Sequence, residues 1–397
     1  MTVHHIVPPY LLDHLERTVD DPNLRARYRQ SLERDAVLRT RPAATPRGEA
    51  APGTSDQGAT PAPGPQRTVH DAERETTLPG RLVRSEGDPG VADLAVNESY
   101  EGLGATWALF QEVFGRDSVD GAGLPLVSTV HYGRGYANAF WDGAQMVFGD
   151  GDGVIFRSFT SSLDITGHEI SHGVVQFTAG LAYRGQSGAL NESLADVFGS
   201  LVKQRQLGQT SAKADWIIGA GIFTPDVAGV GLRSLARPGT AYDDPRLGKD
   251  PQPAHMSGYV ETEDDNGGVH LNSGIPNHAF YLVATTLGGA AYDLPGRIWY
   301  QALTSGTLPT TSTFTQFADA TIAAAKALAG DESAEVGAVQ AAWRQVGVLG
   351  QHEGPADEEE SNLMRAAQTT LDHHTPPPPP DGDDAPEEGD AADRSTD

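Results

Sequence analysis

The chain of 397 residues contains no cysteine. Disulfides, thiolate metal sites and cysteine nucleophiles are therefore excluded, while the compartment stays open, because exported proteins can also lack disulfides. Positive charge is scarce: 28 Lys and Arg face 54 Asp and Glu, for a net charge of −26. Such a surface repels phosphate backbones and anionic lipid, so neither nucleic acid nor membrane is expected as a partner. Much of the excess is local. Residues 351–397 carry 14 Asp and Glu against two Arg, −12 of the −26, which leaves −14 on the rest. No apolar run approaches the ~20 residues of a membrane span. The opening MTVHHIVPPYLLDHLERTVDD has neither a basic leader nor an apolar core of the length a Sec signal needs, so no signal peptide is expected.

Hydrophobic residues are also few, at 38%. That share predicts that part of the length does not pack, although the chain is long enough for two domains plus extensions. Residues 41–66 (RPAATPRGEAAPGTSDQGATPAPGPQ) are almost wholly Pro, Ala, Gly and polar, which predicts a flexible linker. Before it, Leu11, Leu12, Leu15 and Val19, then Leu24, Tyr28 and Leu32, recur at helical spacing, so residues 1–40 form a separate helical unit with a break or start at Pro22. After it, 123–133 and 144–159 alternate like strands, with GDGDG as a turn inside the second, and 98–115 reads as a helix. Helical periodicity then dominates, over 164–179, 190–207, 273–287, 313–329 and 333–346. The resulting expectation is α+β: a β-rich domain over 67–165, a mainly helical one over 166–349, and a disordered acidic, proline-rich tail over 350–397.

The residues that carry chemistry begin at DITGHEISHG, 164–173. His168 and His172 stand four apart, which on a helix puts them one turn apart on one face, within reach of a single ion. Glu169 is one residue on, beside the ion instead of on it, where a carboxylate can take the proton of a water the ion acidifies. The motif is short enough to arise by chance, so a third ligand decides. In LNESLADVFG (190–199), Glu192 and Asp196 share one face of a helix whose other positions are apolar, and buried carboxylates need partners. Glu192 suits the third ligand position, and Asp196, one turn on, suits the N–H of a ligating imidazole. Thr178 and Val175 stand where a metzincin would need His and Gly. Farther on, Asp265 precedes His270 across a Gly-Gly turn. A histidine held by a carboxylate can donate to a developing oxyanion, but Asp/Asn/Gly clusters also serve simply as loops.

ANAFWDGAQMVFGDGDG (137–153), the stretch 164–199 and NGGVHLNSGIPNHAFYL (267–283) resemble, in this order, the thermolysin-like family of neutral zinc metalloendopeptidases. The resemblance runs from about 67 to 349. The N-terminal unit with IVPPYLL (6–12) is similar to the short propeptide of the protealysin-like branch. The resemblance implies a zinc cleft between the two domains, with His168, His172 and Glu192 on the ion, Glu169 as general base, and Asp196 behind a ligand histidine. Tyr183 and His270, the latter oriented by Asp265, would stabilise the oxyanion. Asn138, the backbone of Ala139, and Arg233 would hold the substrate main chain. Phe156, Phe159, Ile165 and Leu232 would line an apolar pocket, so that cleavage falls on the amino side of bulky apolar residues.

The same resemblance implies protein and peptide substrates, a monomer, and a propeptide that inhibits its own enzyme until removed within 41–66. It also implies secretion, by a route other than Sec or from a cytoplasmic precursor. An exopeptidase would need a site for a free chain terminus, and no motif for one is present. In one respect the chain departs from the family pattern. Asp164 and Asp215 match ligands of a paired calcium site, but Lys203, Ile217 and Ala220 occupy other ligand positions. The double calcium site is therefore expected to be missing, with Lys203 paired to Asp164 or Asp215.

Overall fold

The computed structural model describes residues 3–40 and 64–350. The expected linker and tail thus lie, apart from their ends, outside the described residues. The N-terminal unit comprises β1 (His4–His5), α1 (Pro9–Thr18) and α2 (Pro22–Thr40). Each helix opens on a proline, whose missing N–H costs nothing in the first turn. Leu11, Leu12, Leu15, Val19, Leu24 and Tyr28 are buried, so the helical stripe read from the sequence is the face that packs.

The next elements are β2 (Arg67–Asp71), β3 (Arg81–Ser85), α3 (Leu94–Ala108), β4 (Leu126–Val130), β5 (Ala139–Trp141) and β6 (Met146–Phe148). The six strands form one mixed sheet in the order β1-β5-β6-β4-β2-β3. Its edge at β5 is covered by the N-terminal unit: β1 pairs antiparallel to it, His4 opposite Trp141 and His5 opposite Phe140. An exposed strand edge offers unpaired backbone groups to any extended chain, and here the protein's own N-terminal segment takes that place. The expected second strand after GDGDG does not form. Oδ1 of Asp152 accepts the N–H groups of Val154, Ile155 and Phe156, and Gly151 and Gly153 adopt positive φ, which turns the chain away from the sheet.

The second half contains α4 (Leu163–Gln176), α5 (Gly185–Gln206), the two-residue strands β7 (Ile217–Ile218), β8 (Arg233–Ser234), β9 (Asp243–Asp244) and β10 (Gly248–Lys249), then α6 (Asp265–Asn272), α7 (Gly274–Leu287), α8 (Leu294–Thr304), α9 (Phe314–Ala329) and α10 (Ala334–Gln345). α5 starts five residues before the expected 190, and α8 was not expected. In both places Gly or Pro at the first turn reads as a loop but opens a helix. Helices α4 and α5 cross at a glycine pair. A Cβ on Gly167 would lie 3.0 Å from the Gly199 Cα, and one on Gly199 would lie 2.5 Å from the Asp164 carbonyl oxygen. The missing side chains let the two backbones approach, which brings the histidine face of α4 against the carboxylate face of α5. None of the helices among the described residues is long and apolar enough to cross a membrane.

Candidate active site

Every residue of α4 from Asp164 to Val175 is buried, as is α5 from Ser187 to Gln204, so their polar groups must satisfy one another. His168 and His172 bring their Nε2 atoms to 3.1 Å. Glu192 faces both, Oε2 3.6 Å from His168 Nε2 and Oε1 3.4 Å from His172 Nε2. The other ring nitrogens are committed: Asp196 Oδ1 lies 2.8 Å from His168 Nδ1, and Asn191 Oδ1 accepts from His172 Nδ1 at 2.8 Å. With the protons on Nδ1, two lone pairs and a carboxylate converge on one point. A cation relieves that repulsion, and two imidazoles with a carboxylate are a donor set that suits zinc. Burial, with His4 and His168 close by, lowers the His172 pKa well below its usual value, which favours the neutral ring a metal needs.

Asp196 does more than orient His168. Arg233 donates to it from both Nε and Nη2 at 2.8 Å, and Asn277 Nδ2 at 2.9 Å. Burial alone would raise the Asp196 pKa, but Arg233 and His168 outweigh it and hold the carboxyl well below its usual range. Arg233 thus joins this network to the N-terminal segment, whose Ile6 carbonyl it also binds. Asn191 and Asn277 were not singled out in the sequence; their only signal was proximity to Glu192 and to the NSG turn.

Glu169 accepts the Trp141 N–H at 2.9 Å through Oε2, while its Oε1 is buried with no hydrogen-bond partner among the described residues. Burial, then Glu192, raises its pKa well above the usual carboxylate value. His270 owes its position to four successive residues in the left-handed region, Asp265, Asn266, Gly267 and Gly268. This curl, which only a Gly-rich run makes cheap, turns Asp265 back onto its neighbour. Its Oδ1 accepts from His270 Nδ1 at 2.7 Å and its Oδ2 from the His270 N–H at 2.9 Å. Burial opposes the charged ring, but Asp265 and Glu192 prevail and raise its pKa to about 9. The Tyr183 hydroxyl donates to Glu192 Oε1 and lies 3.3 Å from His270 Nε2.

The groove beside these groups holds the N-terminal segment. His270 Nε2 donates to the His5 carbonyl at 2.9 Å, and the Ile6 N–H donates to the Ala139 carbonyl at 3.1 Å. Arg233 Nη1 donates to the Ile6 carbonyl at 2.9 Å. Asn138 then takes both groups of Val7, accepting its N–H at 2.9 Å and donating to its carbonyl at 3.2 Å. The residues expected to hold a substrate main chain all hold this segment. Phe156, Phe159, Ile165 and Leu232 are buried in the same apolar cluster as Ile6. At the expected calcium position, Lys203 Nζ lies 2.7 Å from Asp164 and 2.8 Å from Asp215, and it donates to the Ile217 carbonyl.

Two family models match the chain. The thermolysin metallopeptidase catalytic domain matches residues 66–176, and the thermolysin metallopeptidase α-helical domain matches 179–348. An extracellular metalloprotease of Pectobacterium carotovorum subsp. carotovorum is 56% identical over 288 residues, 72% of this chain and 82% of that protein. Protease PrtS of a Photorhabdus species is 45% identical over 355 residues, 88% of this chain and 93% of its own. Among solved structures, the precursor of protealysin, a metalloproteinase from Serratia proteamaculans, superposes with a TM-score of 0.78 at 48% identity, covering 87% of this chain and all of that one. Fold and matches together define a metallopeptidase of α+β architecture. The chain belongs to the thermolysin family of metallopeptidases.

Proposed function

We propose that this protein is a zinc endopeptidase made as a self-inhibited precursor, cutting peptide bonds on the amino side of bulky apolar residues. The observation that carries this reading is the convergence of His168 Nε2, His172 Nε2 and Glu192 on one buried point, with both Nδ1 atoms already committed. Those three residues would hold the zinc ion, whose Lewis acidity supplies an acidified water and a polarised carbonyl. The protein does the rest. Asn138, Ala139 and Arg233 align the substrate backbone as they align residues 6 and 7. Glu169 takes the water proton and later delivers it to the leaving amine. His270, held by Asp265, donates to the carbonyl oxygen as it gains charge. Tyr183 joins it once its hydroxyl turns from Glu192.

The preference for an apolar residue after the cut is supported by Ile6, which follows the carbonyl at His270 and is fully buried. The precursor reading is supported by β1 in the groove, with removal expected within 41–66. The names of relatives, extracellular metalloproteases, support action outside the cell. Glu169→Gln tests the mechanism: it keeps one zinc per chain and loses about 10²–10⁴-fold in turnover of an unstructured protein such as casein. Near-normal turnover with zinc bound would sink it.

A further inference from the structure

The N-terminal segment lies in the groove in a definite register, its main chain held by the groups proposed above to align a substrate. The His5 carbonyl is at His270 and the Ile6 N–H and carbonyl are at Ala139 and Arg233. The bond at the reacting centre is therefore His5–Ile6. A peptide held so well invites hydrolysis, which raises the question of what protects it. The residue before it points to an answer. The His4 ring stacks on His172, centroids 4.2 Å apart and planes 29° apart, and meets Tyr183 edge-on at 4.2 Å. His4, His172 and Glu192 each offer a ligand atom within 4.8 Å of the other two. His4 is 8% exposed, and its Nδ1 is buried with no hydrogen-bond partner among the described residues.

We propose that His4 is the fourth ligand of the zinc ion in the precursor and closes the position that a reacting water would need. A catalytic zinc keeps three protein ligands and one open position, whereas four protein ligands make a closed, structural site. His4 converts the first into the second, and its departure with the N-terminal segment restores the first. The His5–Ile6 bond then survives in the groove because no activated water faces it. A buried imidazole nitrogen without a partner is costly, and the ion supplies that partner. This inference rests on the zinc reading above, and the experiment separates the two.

The test uses the full-length chain in a Glu169→Gln background, which prevents self-processing, loaded with Co²⁺ or Zn²⁺. His4→Phe keeps the ring stacked on His172 and Tyr183 but removes the nitrogen. The expected results are a changed cobalt d–d spectrum, a new spectral response to added azide, and zinc transfer to a chelator faster by about tenfold or more. With Glu169 intact, the His4→Phe precursor is expected to cut itself at His5–Ile6. Water adds across the bond, leaving a carboxylate on His5 and an amine on Ile6, and mass spectrometry shows the loss of residues 1–5. A folded His4→Phe variant with the parent's cobalt spectrum, azide response and zinc release overturns the assignment. A parent that binds no Co²⁺ or Zn²⁺ overturns the zinc reading itself.

Discussion

Asp196 serves two masters, and the consequences of changing it follow from that. Its Oδ1 faces His168 Nδ1, which fixes the tautomer that leaves Nε2 free for a metal. Both its oxygens also neutralise the buried guanidinium of Arg233. Asp196→Asn keeps the shape and one acceptor but removes the charge, so zinc affinity is expected to fall about 10–100-fold, read by competition with a chelator. Asp196→Ala leaves Arg233 buried without a counter-charge, and urea unfolding of the zinc-free protein should show a loss of about 3–5 kcal/mol. Zinc affinity unchanged in Asp196→Asn would remove Asp196 from the site. His168, Glu169, His172, Glu192 and Asp196 were all legible in the sequence because each helix fixes its own spacings and the glycines at the crossing do the rest. His4, Asn191 and Asn277 were not. The His5 carbonyl meets its donor across 265 positions of chain, and no local periodicity encodes such a contact.

Between elements, charged clusters tie the chain together, and two give measurable predictions. His131, one residue past β4, binds Asp150 through Nδ1 at 2.6 Å and Asp93 through Nε2 at 2.9 Å. Asp93 also caps α3, accepting the N–H groups of Ala95 and Val96. Asp150, against the opposing effect of burial and with help from Asp93, raises the His131 pKa to about 9. The unfolded value is about 6.5, so the folded pKa is the higher one and the charged form is the stabilising one. Its contribution is full below about pH 6.5 and is lost as pH rises through about 9. The whole shift would amount to ~3 kcal/mol; partial exposure and screening reduce this to about 1 kcal/mol. Urea midpoints at pH 6.5 and 9.5 should differ accordingly, and His131→Gln should flatten the slope. The second cluster is Lys203 with Asp164 and Asp215, which puts a fixed cation where calcium ligands would be. We propose that the calcium pair is missing. Adding calcium to the zinc-loaded protein should leave its unfolding midpoint in place, whereas a site at a hundredfold excess of ligand would add about 2.7 kcal/mol. Calorimetry that finds two tight calcium ions would refute it. At this scale the sequence was less readable. α8 hid behind Leu-Pro-Gly, and residues 154–159 alternate like a strand yet are drawn into a turn by Asp152, because a carboxylate satisfying three N–H groups outweighs a weak strand preference.

At the scale of the molecule, the precursor reading proposed above makes latency a competition between a tethered segment and substrate for one groove. Ile6, Val7, Leu11, Leu12, Leu15 and Tyr28 are each 1% exposed or less, and each such side chain is worth about 1.5–3 kcal/mol on burial. Asp35 on α2 locks the segment in place: it accepts from Asn138 Nδ2 at 2.9 Å and from the Tyr136 hydroxyl, and lies 3.2 Å from His5 Nε2. Covalent connection through residues 41–63 adds to this, because a segment joined to the same chain acts at an effective concentration of order mM. A segment with even micromolar affinity would then occupy the groove in about 99.9% of molecules. Cutting the connection should not by itself activate the enzyme. It should convert latency into an ordinary dissociation, so that the nicked protein stays inactive when concentrated and gains activity on dilution. Asp35→Ala leaves one N–H of the Asn138 amide and the Tyr136 hydroxyl without their acceptor, a cost of about 1–3 kcal/mol, so the dilution midpoint should move about 5–150-fold toward higher concentration. Activity of the nicked enzyme against dilution, with and without Asp35→Ala, measures both effects. A nicked protein whose specific activity does not depend on concentration, or an uncut precursor as active as the nicked and diluted form, would show that the segment in the groove is not what holds the enzyme back.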